Sequence, residues 1–269
     1  MPSLTYYLTS LSIVVFSLVL LARGGGSALA MSTVSTNQLF TTLAPGTLLP
    51  SSSNCAQWVH QHSNGREIRP QNTPYNETIG RSLNIPFFST STVAYDQRAN
   101  SDIAARVNGQ FRGTSEDILR WGACKWGFDE NTVKAMAANE SWWKQALHNN
   151  WTTQCPKNHP PGSDNAQYPT MCHRDYGLLQ LNFDYYAAAW PEAETSSAMN
   201  VDTALSIVRA CFEGYTLWMA QTNPSYAKGD AWGCLGAYNS GKWYDSQARA
   251  YIQNIQNFMN KRVWQLSYF

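Results

Sequence analysis

Val133, Met136, Ala137 and Glu140 recur at helical spacing, so one helix face carries three apolar residues and then a carboxylate at the same azimuth. Burying a carboxylate is costly unless it is paired or kept protonated. Trp142 and Trp143 follow at once and add apolar surface that holds the proton on Glu140. A carboxyl kept neutral at working pH is the group that protonates a leaving oxygen, so Glu140 reads as a general acid. The plainer reading is a helix-end glutamate that reaches solvent or pairs with Lys134 or Lys144. Two further stretches carry hydroxyl and amide groups beside small residues: Tyr176-Gly177-Leu178-Leu179-Gln180 and Ala237-Tyr238-Asn239-Ser240-Gly241. Each is also compatible with an ordinary helix start or end. There is no phosphate-binding loop, no HExxH and no GxSxG, and no cofactor is expected.

The elements that must position these residues are helical. Asp129 is placed to cap the helix bearing Glu140, with Glu130 in its first turn. Before it, Thr114 and Asp117 have capping-box spacing ahead of Ile118, Trp121 and Lys125, and Gly127 marks the end. A third helix is expected from about Asp202 to Gln221, with Ala204, Ile207, Val208, Cys211 and Tyr215 at helical spacing. A short helix carries Gly236 to Gly241. A last one from about Ser246 places Tyr251, Ile252, Ile255, Phe258 and Met259 on one side. Alternating strand patterns are scarce, so a mainly α fold is expected. Residues 31–54 are Ser/Thr-rich with Pro45 and Pro50 and read as a flexible or extended linker. Residues 55–112 read as irregular structure laid over residues 113–269 and tied down by Cys55.

Composition narrows the partner. Charged residues are only 14% of the chain and aromatics 13%, with 11 Trp and 14 Tyr. A neutral polar surface with many rings suits carbohydrate, whose C–H faces stack on aromatics and whose hydroxyls bond amides. The formal charge is +1, and losing Arg23 with a leader takes it to zero, which argues against nucleic acid or an anionic membrane as partner. Residues 8–22 form an apolar run short for a membrane span, and Ala28-Leu29-Ala30 supplies a cleavage site, so residues 1–30 read as a secretory signal. No Lys or Arg precedes the run, which is atypical. An uncleaved anchor is the alternative.

A secreted chain with six cysteines (Cys55, Cys124, Cys155, Cys172, Cys211, Cys234) is expected to form three disulfides, Cys155 with Cys172 being the favoured local pair. His159 and His173 lie close to those two cysteines, but without a CxxC pair a disulfide is preferred and no metal site is expected. Asn76, Asn139 and Asn150 head glycosylation sequons. The one at Asn139 overlaps Glu140 and is expected to be unused.

Taken in order, Glu140-Ser141, then Tyr176-Gly177-Leu178-Leu179-Gln180, then Ala237-Tyr238-Asn239-Ser240-Gly241 resemble the three motifs of the lytic transglycosylases of the lysozyme-like superfamily. Goose-type lysozyme shares the broader fold. Cys211-Phe-Glu-Gly, Trp232-Gly-Cys-Leu-Gly and Lys242-Trp243-Tyr244 add to the likeness, which spans roughly Gly113 to Tyr251. The resemblance implies a lysozyme-like helical domain with a substrate cleft. It also implies a monomeric enzyme acting on peptidoglycan glycan strands, with Glu140 as single acid. Ser141 then hydrogen-bonds near the acid or lines the cleft, Gly177 lets backbone approach the sugar, and Tyr176, Gln180 and Asn239 bind substrate. Tyr238 is expected to turn its hydroxyl onto the Glu140 carboxyl. Trp142, Trp143 and Trp243 are candidate sugar platforms. The family pattern has a small or neutral residue where this chain has Asp175. Asp175, Asp184 or Asp230 across the cleft would instead activate water, giving a hydrolytic muramidase or an enzyme acting on chitin or chitosan. A wall-binding module without catalysis is the third alternative.

Overall fold

The structure, a computed structural model, describes residues 41–90, 94–162 and 167–269. The expected leader, its cleavage site and residues 31–40 lie outside them. The described residues belong to one unit, Val34–Phe269, and are mainly helical with a small antiparallel sheet. None of their helices is long and apolar enough to cross a membrane.

Helix α1 (Ser52–His62) opens at Ser51, whose side chain accepts from the Asn54 amide. After the single turn α2 (Thr73–Asn76) the chain runs irregularly, with short π and 3₁₀ turns, to α3 (Ser115–Trp126). The expected capping box forms there: Asp117 N donates to Thr114 Oγ1 at 3.1 Å and Thr114 N to Asp117 Oδ2 at 3.2 Å. Helix α4 (Glu130–Ser141) is capped by Asp129, which accepts from Thr132 N at 2.8 Å. Three two-residue strands follow, β1 (His148–Asn149), β2 (Asp175–Tyr176) and β3 (Leu181–Asn182), in the order β1-β2-β3. Asp175 lies opposite Asn149 on one side and Asn182 on the other. Short helices α5 (Phe183–Tyr186) and α6 (Glu192–Thr195) lead to α7 (Ser197–Phe212), then α8 (Leu217–Thr222), α9 (Ala231–Ser240) and α10 (Ser246–Lys261).

All of α7 is buried, and α3, α6 and α9 pack around it. Its polar residues are therefore matched to partners. Asp202 accepts from Lys125 Nζ at 2.6 Å, from Trp126 Nε1 at 2.8 Å, and from the amides of Asn108 and Gly109. Removing one member of such a set leaves a buried charge uncompensated, which is strongly destabilising. Arg209 pairs with Glu213 and donates to the carbonyls of Leu43, Ala44 and Trp126.

Two expectations are corrected here. The described part of the supposed linker, residues 41–54, is bound to the domain: Leu43 N donates to Gly127 O at 2.9 Å and Gly46 N to Glu213 Oε2 at 2.7 Å. A buried guanidinium needs acceptors for its five N–H groups, and this segment supplies two of them. The helix expected from Asp202 to Gln221 starts earlier, at Ser197, and stops at Phe212. Glu213 curls back to Arg209, and α8 begins separately at Leu217.

Candidate active site

A cavity of about 810 Å³ runs between the sheet, α4, α7 and α9. Glu140, from the last turn of α4, reaches it, together with Asp175, Gln180, Asn182, Tyr238 and Asn239. Beyond Ser141 the chain reverses through two consecutive tryptophans with positive φ, Trp142 (53°) and Trp143 (55°). Left-handed backbone is unfavourable for bulky residues and tends to collect at sites where structure over-determines it. Gln180 and Asn150, both lining the cavity, also have positive φ.

Burial pushes the Glu140 carboxyl up to about 8, and the charge of Asp175 adds to the rise, while a hydrogen bond from Tyr251 works against it. At neutral pH Glu140 therefore holds its proton. The pairing with Lys134 does not occur, because Lys134 is shared by Glu116 and Glu130, each at 2.5 Å. The hydroxyl on Glu140 is also not the expected one. Tyr251 of α10 donates to Glu140 Oε1, whereas Tyr238 donates to Leu179 O at 2.6 Å. Helix α10 packs directly on α4, and a tyrosine on that face must bury its hydroxyl against something polar. Tyr251 was legible as part of the apolar stripe of α10, but its partner was not.

The loop from Tyr176 to Gln180 is pinned from behind. Asn200 of α7 accepts from Leu179 N at 2.9 Å and donates to Tyr176 O at 3.0 Å and Ala193 O at 3.1 Å. Gln145 accepts from Leu178 N and donates to the carbonyls of Ala193 and Glu194. Ser141 donates to Leu178 O at 2.8 Å. Ser141 thus lies near Glu140 as a buried strut and is no part of the cavity wall. Gly177, at φ 86°, is required by packing: a Cβ there would fall 2.1 Å from Asn200 Nδ2. That differs from the expected approach of its backbone to a sugar. Tyr176 is wholly buried behind the sheet and does not line the cavity. Gln180 does line it, but its amide nitrogen donates to Leu147 O and Gly177 O and its oxygen accepts from Asn149. Asn239 lines the cavity and accepts from Gln247 at 3.2 Å. Asn200 and Gln145 had no sequence signal beyond being amides in otherwise apolar surroundings.

Of the three candidate second carboxylates, Asp175 alone shares the cavity with Glu140. Burial raises its pKa, and Asn182, donating to it at 2.6 Å, holds it in place and opposes the rise. Asp184 pairs with Arg174 at 2.9 Å, and Asp230 caps α9 and accepts from Tyr244.

The expected tryptophan platforms lie elsewhere too. Trp143 and Trp243 are core residues, and Trp142 packs on Phe258 and Phe269. The aromatic lining is Phe87, Phe88 and Tyr95 from the N-terminal segment together with Tyr185, Tyr186 and Trp218, and Phe87 stacks on Tyr186. Tyr185 is 80% exposed, an open ring at the rim.

Three disulfides form: Cys55–Cys124, Cys155–Cys172 and Cys211–Cys234. The last ties α7 to α9 at the cavity, and the first holds α1 to α3. Of the sequons, Asn76 is buried and its amide donates to Glu67 and Ser115, while Asn150 is exposed at the cavity. The geometry is that of a neutral carboxyl acid in an aromatic-walled, amide-lined groove. No protein-family model, curated protein or solved structure matches the chain.

Proposed function

We propose that the chain is a secreted, lysozyme-like enzyme that cleaves the β-1,4 bond between N-acetylmuramic acid and N-acetylglucosamine in peptidoglycan, as a lytic transglycosylase. The observation that carries the reading is Glu140 itself: a carboxyl with its pKa pushed up to about 8 by burial, oriented by Tyr251, at the wall of a groove suited to sugars. In the first step Glu140 gives its proton to the glycosidic oxygen as the bond to the anomeric carbon breaks, with the neighbouring acetamido group supporting that carbon. In the second, the Glu140 carboxylate takes the proton of the muramic 6-hydroxyl while that oxygen bonds to the anomeric carbon. A 1,6-anhydro ring results, Glu140 is reprotonated, and no water is consumed. The aromatic walls supply stacking surface for successive rings. Three disulfides accord with an extracellular setting.

A second reading rests on Asp175. A two-carboxylate hydrolase needs its groups roughly 5 Å apart for retention or about 6.5–9.5 Å for inversion with a water between. Asp175 and Glu140 line one cavity, and the charge of Asp175 helps to raise the Glu140 pKa. Mass spectrometry of muropeptides released from purified peptidoglycan separates the two readings. Anhydro products, lighter by one water than hydrolytic ones and absent with Glu140→Gln, are the expected result. Reducing-end products would replace the anhydro mechanism with hydrolysis, and no release by the native protein would overturn the substrate.

A further inference from the structure

Strand alternation gives the small sheet two faces. Asn149 and Asp175 are paired on the cleft side, so their neighbours His148 and Tyr176, also paired, belong to the rear. There His148 stacks on His173, with ring centroids 3.8 Å apart and planes within 3°. Both present Nε2 to one oxygen of Glu194 in α6: His148 at 2.9 Å and His173 at 3.3 Å. The three donor atoms all lie within 4.8 Å of one another. Ligands bound at about 2.0–2.1 Å around a tetrahedral ion sit roughly 3.3 Å apart, so two of the three separations suit such an ion, which the stacked rings reach by turning their Nε2 atoms toward a common point. Two imidazoles and a carboxylate form a borderline donor set, preferring zinc-type ions over calcium or magnesium.

A second observation points the same way. The Tyr176 hydroxyl is fully buried and has no hydrogen-bond partner among the described residues, although it lies close enough to Glu194 to feel its charge. A buried hydroxyl without a partner is uncommon and calls for an explanation. Beside three ligands it would bond a water in the fourth position of a tetrahedral ion.

We propose that His148, His173 and Glu194 bind a zinc-type divalent cation that clips β1 and the approach to β2 onto α6, behind the cleft. None of the three lines the cavity, so the ion holds the sheet and does not touch substrate. The consequence for the cleft is positional. His173 precedes Asp175 by two residues, His148 adjoins Asn149, and the Glu194 carbonyl is bonded by Gln145, which also holds Leu178 N. The site is independent of what the enzyme cleaves.

The test uses the untagged secreted protein, stripped with chelator and titrated with Zn²⁺ by calorimetry, with thermal unfolding measured in parallel. One equivalent is expected to bind, and zinc at about a hundredfold excess over Kd to raise Tm by roughly 5–10 °C. His148→Ala and Glu194→Gln, shown folded by circular dichroism, are expected to lose at least about tenfold in affinity together with the Tm rise. Co²⁺ substituted into the native protein is expected to give intense visible bands of a four-coordinate site, a readout that does not depend on any variant folding. Absence of stoichiometric zinc binding or of those bands in the native protein would overturn the proposal. Equal zinc binding by both folded variants would do so as well.

Discussion

Glu140 and the two tyrosines near it give the sharpest residue-scale consequences. Folded, Glu140 titrates near 8; unfolded, near the ordinary 4.5. Between those values the folded state holds more protons than the unfolded one, so stability falls as pH climbs through that window. Native Tm is therefore expected to drop between pH 5 and 8, and Glu140→Gln to flatten the slope and to exceed the native protein in stability at pH 9. Asp175 shifts in the same direction, which leaves a residual slope in that variant. Turnover is expected to fall along an alkaline limb near pH 8 as the acid loses its proton. Tyr251→Phe removes a bond that lowers the Glu140 pKa, so that limb is expected to move to higher pH by about one unit, with kcat reduced roughly tenfold. Asp175→Asn removes a charge that raises the same pKa, so under the anhydro mechanism the limb moves down while the products stay anhydro. Under hydrolysis the same variant loses activity outright, which a pH–rate profile with product analysis distinguishes.

At the scale of elements, the loop from Tyr176 to Gln180 owes its shape to α7 and to the turn after α4. Gly177→Ala would force a Cβ into Asn200 at a positive φ, and a loss of roughly 2 kcal/mol or more is expected in urea unfolding. Asn200→Ala leaves Leu179 N without its buried acceptor and takes a donor from Tyr176 O and from Ala193 O, which keeps only Gln145, for an expected cost of about 2–4 kcal/mol. Both changes act on the loop that carries Gln180 into the cavity and is bonded to Ser141 beside Glu140, so kcat should fall at temperatures where the protein remains folded. Calorimetric Tm measured beside turnover separates the two effects.

Across the whole molecule, the N-terminal segment is part of the cleft. Phe87, Phe88 and Tyr95 stand on a stretch anchored upstream by Cys55–Cys124, which closes a separation of 69 residues. Replacing both cysteines by serine is expected to cost roughly 4 kcal/mol through the entropy released to the unfolded chain. The aromatic wall should loosen with it, raising KM more than it lowers kcat, and steady-state kinetics below the lowered Tm would show that split.

What the sequence determined by itself was local. Helix caps at Thr114 and Asp129, the apolar stripes of α4 and α10, and the placing of a carboxylate on a packing face depend on residues within a turn or two of each other. Such interactions can be read as spacing. The tertiary structure alone decided the partners. Tyr251 and Glu140 meet across 111 residues because α10 crosses α4, so no spacing rule could prefer Tyr251 to Tyr238. The choice of Asp175 over Asp184 and Asp230 follows from a register of two-residue strands too short to leave a pattern. Phe87, Phe88 and Tyr95 of the aromatic lining come from an irregular segment, where ring positions follow from packing against distant parts of the chain and not from any period along it.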